Sequence, residues 1–214
     1  MLDLSAKRLF DVVFSALGLL VLAPLLLVLA VLIKSSEKGP VFFLQERVGR
    51  HGRLFKIWKF RTMVVNAERL GHSITAGNDR RITPVGRWLR KTKCDELPQL
   101  WNVLRGDMSF VGPRPEVPRY VALYTAEQRK VLELKPGITD LATLEFRREE
   151  ELLTRAVDLE TFYTRECIPR KIALNISYAR EANLWTDVKI ILRTIFPLRI
   201  LRNENAGPFP FNHS

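Results

Sequence analysis

An uncharged run of twenty-two residues, "VVFSALGLLVLAPLLLVLAVLI" from Val12 to Ile33, most constrains what this chain can fold into. As one helix at 1.5 Å per residue it would reach ~33 Å, about the thickness of a bilayer's hydrocarbon layer. No convincing small-residue cleavage site closes the run, and it is long for a secretory signal, so it is expected to remain as a membrane segment. Pro24 stands almost at its centre. Proline offers no N–H to the carbonyl four residues back, and its ring collides with that carbonyl. One outcome is a kinked span; the other is a bend sharp enough to return the chain to the side it entered. Lys7 and Arg8 precede the run, and Lys34, Lys38, Arg47 and Arg50 follow it. Basic residues on both flanks are expected where both face the cytoplasm. From these residues alone, both topologies stay open.

The remaining chain is long enough for one ordinary domain with its own core. Its 34 Lys and Arg exceed 23 Asp and Glu, a net charge of +11. That excess suits an anionic partner: nucleic acid, an acidic membrane face, or phosphorylated substrates. Aromatic and basic residues do not interleave in a recognisable nucleic-acid motif, which weakens the reading as a membrane-anchored nucleic-acid-binding protein. Cys94 and Cys167 lie far apart, and His51, His72 and His213 are scattered. Neither a disulfide framework nor a metal cluster is indicated, and a reducing, cytoplasm-facing location fits.

Gly39 to Met63 reads as two extended runs around "GRHG", a hairpin with glycines for positive φ. By period two, Phe55, Ile57, Lys59 and Arg61 share one face of the second run, which predicts both cations on one surface. A solvated strand face is the ordinary explanation of such a pair. Residues 66–83 read as a polar loop after a short helix, and a short basic helix is predicted near Val85 to Lys91. A further helix is predicted from Asp95 to Arg105, closed by Gly106, with Pro98 in its first turn. The stretch from Glu145 to Arg202 reads as mainly helical. Within it "LWTDVKIILRTIFPLRILR" suits an amphipathic helix at the lipid headgroups, although a core-facing helix is the commoner meaning of that pattern. The whole reads as α+β, predominantly helical with a β-hairpin. The expected division is a membrane-embedded segment over residues 1–36, a cytoplasmic domain over 37–203 and a disordered tail over 204–214.

From Arg80 to Lys93 there are six cations and no acid; then Asp95 and Glu96 arrive side by side. Acids in a first helical turn are ordinarily capping residues. Three features point further: the preceding cations, the helix start with its free N–H groups, and Lys59, Arg61 and Arg114 in rigid settings, the last bracketed by prolines in "GPRP". A carboxylate at a helix N-terminus is expected to stay ionised, able to act as a nucleophile or metal ligand. Nearby N–H groups and arginine forks hold phosphate oxygens. Magnesium would complete such a site, since it takes one or two carboxylates with phosphate oxygens and water. Cys94 has cationic neighbours but no local histidine, and reads as packing.

Together "QERVG" (45–49), "FKIWKFRTM" (55–63), "DELPQLWNVLRGDMSFVGPRPE" (95–116) and "KPGIT" (135–139), behind a proline-broken apolar segment, resemble the bacterial sugar transferase family. These are small monotopic polyprenyl-phosphate phosphoglycosyl transferases, and the resemblance runs from about Lys7 to Phe196. It implies transfer of a sugar 1-phosphate from a nucleotide-activated sugar, usually UDP-linked, to a membrane polyprenyl phosphate, starting glycoconjugate assembly. It also implies Mg²⁺ and a re-entrant helix-break-helix at Pro24 with both ends in the cytoplasm, on a bacterial inner membrane. Asp95 would be the nucleophile and a metal ligand, Glu96 its catalytic partner. Lys59, Arg61, Gly112, Pro113, Arg114 and Arg147 would bind substrate. The implied partners are the sugar nucleotide, polyprenyl phosphate and membrane lipids, with no nucleic acid; a homodimer stays open. A membrane-bound hydrolase working through an aspartyl phosphate is the rival within enzymes. Two departures stand out. "PGIT" is followed by "DLATLEFRREEELL" where many members have "GWAQVNGRN", and Asn175 stands where a family aspartate is expected.

Overall fold

The structure, a computed structural model, describes residues 4–67, 79–146, 149, 153 and 158–196. Helix α1 (Leu4–Ser36) carries the apolar run. At 33 residues it is ~50 Å long, and it is long and apolar enough to cross a membrane. Pro24 lies inside it, so the expected break is not an interruption of the helix. Its middle is open: Leu20, Val21, Leu27 and Val31 are each about two-thirds exposed or more. Apolar surface of this extent marks membrane association.

Both ends of α1 are tied to the rest of the chain. Near the start, Arg8 donates to the carbonyls of Val103 (2.7 Å) and Leu104 (2.8 Å). These are late carbonyls of α3 (Gln99–Arg105), which a helix leaves without internal partners. Lys7 bonds the Val111 carbonyl (3.1 Å) and pairs with buried Asp187; Asp11 accepts from Ser109 Oγ and the Phe110 N–H, both at 3.1 Å. Near the end, Leu29 and Ile33 are buried against Phe60 and Leu89. Burying two such side chains contributes about 1.5–3 kcal/mol each.

The expected hairpin is present: β1 (Phe42–Val48) pairs antiparallel with β2 (Leu54–Phe60), Phe42 opposite Phe60 and Val48 opposite Leu54. Within the "GRHG" turn, Gly52 (φ 76°) and His51 (φ 56°) take positive φ. The basic helix α2 (Pro84–Thr92) starts on Thr83, whose Oγ1 accepts the Gly86 N–H at 2.9 Å, with proline in the first turn.

The next helix differs from expectation. Cys94–Glu96 form a 3₁₀ turn, and α3 begins only at Gln99, with Pro98 as its cap residue; Gly106 (φ 93°) closes it as expected. Neither acid caps it, because the N–H groups of Glu96, Leu97, Leu100 and Trp101 are bonded to the carbonyls three residues back.

"SFV" and "GIT" form a parallel pair, β3 (Ser109–Val111) beside β4 (Gly137–Thr139). The short helices α4 (Pro118–Val121) and α5 (Leu141–Glu145) flank them. Helix α6 (Leu159–Phe162) runs through a π turn, Tyr163–Cys167, into α7 (Ile168–Glu181), and α8 (Leu184–Ile195) follows. The largest core joins α7 to α4 and β1 through Ile168, Ile172, Tyr120, Val121 and Val48. Helix α8 buries Asp187 and Ile190 but exposes Leu184, Trp185, Leu192 and Ile195, an apolar side turned outward. Arg147, most of the polar loop, and the expected tail at 204–214 lie outside the described residues.

Candidate active site

The site starts from how β2 is fixed to α3. Asn102 is fully buried; its Oδ1 accepts the Trp58 N–H at 3.0 Å and its Nδ2 donates to the Lys56 carbonyl at 2.8 Å. One side-chain amide thus does for this edge of β2 what a neighbouring strand would do. The next inward residue is Lys59, whose Nζ donates to Glu96 Oε1 at 3.0 Å.

Arg114 reaches the same carboxylate from the opposite wall. Its Nη1 donates to Glu96 Oε2 at 3.1 Å and its Nη2 to Oε1, a two-pronged pairing. The loop that presents it is held by close backbone approach. A Cβ at Gly112 would overlap the Lys135 carbonyl oxygen, so only glycine lets β3 lie so near the chain entering β4. Gly112 N–H donates to Thr139 O and Gly137 N–H to Pro113 O, both at 3.0 Å. The Arg114 N–H itself donates to Asp140 Oδ2 at 3.3 Å.

Asp95 comes from the turn between α2 and α3. Lys93 closes α2 in the left-handed region (φ 58°), its N–H on the carbonyls of Leu89 and Arg90. A non-glycine residue there is held by its surroundings. The chain then turns so that Asp95 points inward, 8% exposed, with Oδ1 buried and without a hydrogen-bond partner.

The two adjacent acids are electrostatic opposites. Burial pushes the Asp95 carboxyl up, the charge on Glu96 adds to that, and Lys59, Arg90 and Lys93 pull it back only in part. Burial works against the charge on Glu96 too, but Arg114 and Lys59 outweigh it and hold that carboxyl well below the usual carboxylate range. Burial also pulls the Lys59 ammonium down to about 8, despite Glu96. Glu96 is therefore a fixed negative charge bound on both sides, and Asp95 is a desolvated carboxyl with one bare oxygen. The helix start lends Asp95 no hydrogen bond that would lower its carboxyl; burial and the charge on Glu96 push it up instead.

A cleft of about 1060 Å³ opens beside the pair. Four of the six preceding cations, Arg87, Arg90, Lys91 and Lys93, line it with Lys59 and Arg114; Arg81 is instead bound by Asp79. Another part of the wall is apolar, with Leu97, Leu100, Phe110, Ile191 and Ile195. Leu100 also faces Gly18 of α1, so the apolar wall adjoins the membrane helix. Glu96 is on the wall and Asp95 sits behind it.

The structure thus brings Lys59, Glu96 and Arg114 together with Asp95, places Pro113 on the wall, and gives Gly112 a backbone task. Arg61 is elsewhere: just past β2, 7% exposed, it donates to the carbonyls of Lys38 (3.1 Å) and Glu37 (3.0 Å) and ties the end of α1 to the hairpin. Sequence reasoning gave Arg47 only as a cation flanking the membrane segment; it lines the cleft and binds Gln45 Oε1 (3.0 Å) and the Pro115 carbonyl (2.9 Å). Its signal was its place inside "QERVG". Lys171 and Tyr163 on the far wall carried no such signal.

A divalent cation would find a thin donor set. Among the described residues no three His, Cys, Asp or Glu group together, and Glu96 is spent on its cations. The bare, buried Asp95 Oδ1 remains. One carboxylate oxygen fits magnesium, which fills its shell with phosphate oxygens and water.

The family described as Bacterial sugar transferase matches residues 2–199. The undecaprenyl-phosphate glucose phosphotransferase of Komagataeibacter xylinus is 41% identical over 200 residues, 90% of this chain and 36% of that protein. The UDP-glucose:undecaprenyl-phosphate glucose-1-phosphate transferase of Klebsiella pneumoniae is 39% identical over 193 residues, 89% of this chain and 39% of that one. The protein of the same name from Caulobacter vibrioides is 41% identical over 203 residues, 94% of this chain and 71% of its own length. The chain therefore spans about two-fifths of the first two relatives and most of the third.

Proposed function

Because the chain belongs to the bacterial sugar transferase family, we propose that it moves a sugar 1-phosphate from a UDP-sugar to a membrane polyprenyl phosphate through a phosphosugar carried on Asp95. The observation that carries this reading is the asymmetry of the acid pair. Glu96 is locked between Lys59 and Arg114, while Asp95 keeps a desolvated oxygen next to a cationic cleft. A carboxylate shorn of hydrogen bonds is a better nucleophile than one in water.

A carboxylate oxygen of Asp95 attacks the phosphorus that bears the sugar. The bond from that phosphorus to the bridging oxygen breaks, and UMP leaves with the electron pair. Arg114 and Lys59, oriented by Glu96, face the phosphoryl oxygens, and the arginines of α2 attract the nucleotide's charge. An oxygen of polyprenyl phosphate then attacks the same phosphorus, and Asp95 is released as a carboxylate. Neither displacement needs a proton. Magnesium, held by Asp95 Oδ1, would offset charge on the diphosphate.

The re-entrant topology belongs to the same proposal. Arg8 and Asp11 near one end of α1 and Ile33 near the other all pack on one domain. Ties at both ends support both termini of the segment facing the cytoplasm. The long lipid then stays in the membrane while its phosphate meets the cleft. The exposed Trp185, Leu192 and Ile195 of α8 support contact at headgroup depth.

The test is release of UMP from UDP-sugars, with glucose, named for the relatives, assayed first. With polyprenyl phosphate, UMP should form continuously; without it, release should stop at one equivalent per enzyme. Continuous release of sugar phosphate without a lipid acceptor would favour the hydrolase. Salt-sensitive retention of DNA with no turnover would revive nucleic-acid binding. A tag on either terminus should be reached only from the cytoplasm; a periplasmic N-terminus would discard the re-entrant segment and leave the chemistry standing.

A further inference from the structure

Asn175 on α7 is 3% exposed, lines the cleft, and holds an amide whose two ends are unequally used. Its Nδ2 donates twice, to Asp140 Oδ2 at 2.8 Å and to the Lys171 carbonyl at 2.9 Å. Both partners are acceptors only, so the amide cannot be turned around: nitrogen faces them and oxygen faces away. That oxygen, Oδ1, is buried and has no partner. An unfilled buried acceptor is costly, and native structures rarely keep one without a use. Asp140 is itself engaged elsewhere, since it also accepts the N–H groups of Thr143 (2.6 Å) and Arg114 (3.3 Å). A short chain of bonds therefore links Asn175 to the residue that clamps Glu96.

We propose that Asn175 Oδ1 is a specificity-determining acceptor for a hydroxyl of the sugar nucleotide, held in place by Asp140. An aspartate at this position would bring a second carboxylate against Asp140; the amide offers the cleft an acceptor without that repulsion. The inference rests on the transfer reaction proposed above. A pocket built to bond one hydroxyl rejects the analogue lacking it, because the acceptor is then left bare.

The experiment is a cross of variants and donors. Wild type, Asn175→Ala and Asn175→Asp are assayed for UMP release with UDP-glucose, with donors deoxygenated at single sugar positions, and with the 2′-deoxyuridine donor. Wild type should lose about ten- to hundredfold in kcat/KM with one of these analogues. Asn175→Ala should lose a similar factor with UDP-glucose and be indifferent to that same deoxygenation. Asn175→Asp keeps an acceptor, so it should stay sensitive to that hydroxyl. If Asn175→Ala does not fold, the Asn175→Asp series alone decides. The position of the coupled hydroxyl tells sugar from ribose. Losses that simply multiply in Asn175→Ala, or insensitivity in Asn175→Asp, overturn the proposal. A wild type that turns over no donor at all sinks the transfer reaction instead.

Discussion

Two buried polar networks in this molecule obey different rules. Under the start of α1, Lys7 meets Asp187 and the Val111 carbonyl, Tyr178 meets Asp187, and Asp11 takes Ser109 and the Phe110 N–H. Beside the cleft, Glu96 is as well satisfied as any of these. Yet the three buried side-chain atoms without partners among the described residues are Asp95 Oδ1, Gln99 Nε2 and Asn175 Oδ1. Two belong to the turn and helix start that carry the acid pair, and the third is on the cleft wall. The anchor closes its hydrogen bonds because its task is to hold a membrane helix on a domain. The open atoms lie on or just behind the cleft wall, where the chemistry proposed above takes place.

The difference can be broken first at Asp95. Asp95→Asn should lower transfer by about 10³-fold or more, as removal of a nucleophile does, while thermal unfolding stays at or above the wild-type temperature. In the anchor the pattern should invert. Lys7→Ala strands Asp187 and should cost about 3–5 kcal/mol of stability, seen as a lower melting temperature, while the protein that remains folded still releases one equivalent of UMP.

A finer probe is Arg114→Lys. An ammonium cannot take both Glu96 oxygens at once, so kcat should fall about ten- to hundredfold with little change in folding. The pH profile sharpens the picture further. Asp95 must be ionised to attack, and its pKa is raised, so activity should fall on the acid side at a higher pH than for an ordinary carboxylate. Lys59 is cationic below about 8 and neutral above it, so activity should fall again as pH rises through that value. Lys59→Arg should remove the basic limb and keep the acid one.

Much of this was legible in the chain itself. The hairpin, the basic helix and the Gly106 cap follow from alternation, Pro84 and glycine chemistry. The acid pair stood out because nothing acidic precedes it for fifteen residues. The start of α3 was misjudged because local rules assign acids beside a proline to a cap, whereas Lys59 and Arg114, far away in sequence, claim Glu96. Arg61 does not share the face of Lys59 for a related reason: period two holds only while the strand lasts, and β2 ends at Phe60. Strands β3 and β4 are three residues each, too short for any period to show, and their pairing depends on Gly112 and Gly137 passing closely. Asn175 looked like a lost acid; only the fold sets it against Asp140.

The central claim is tested most directly by mass. Enzyme incubated with UDP-sugar and no polyprenyl phosphate should gain one sugar phosphate on the peptide that contains Asp95, and adding the lipid phosphate should discharge it. Failure to trap any such adduct, together with kinetics that require donor and acceptor to be bound at once, would contradict the account.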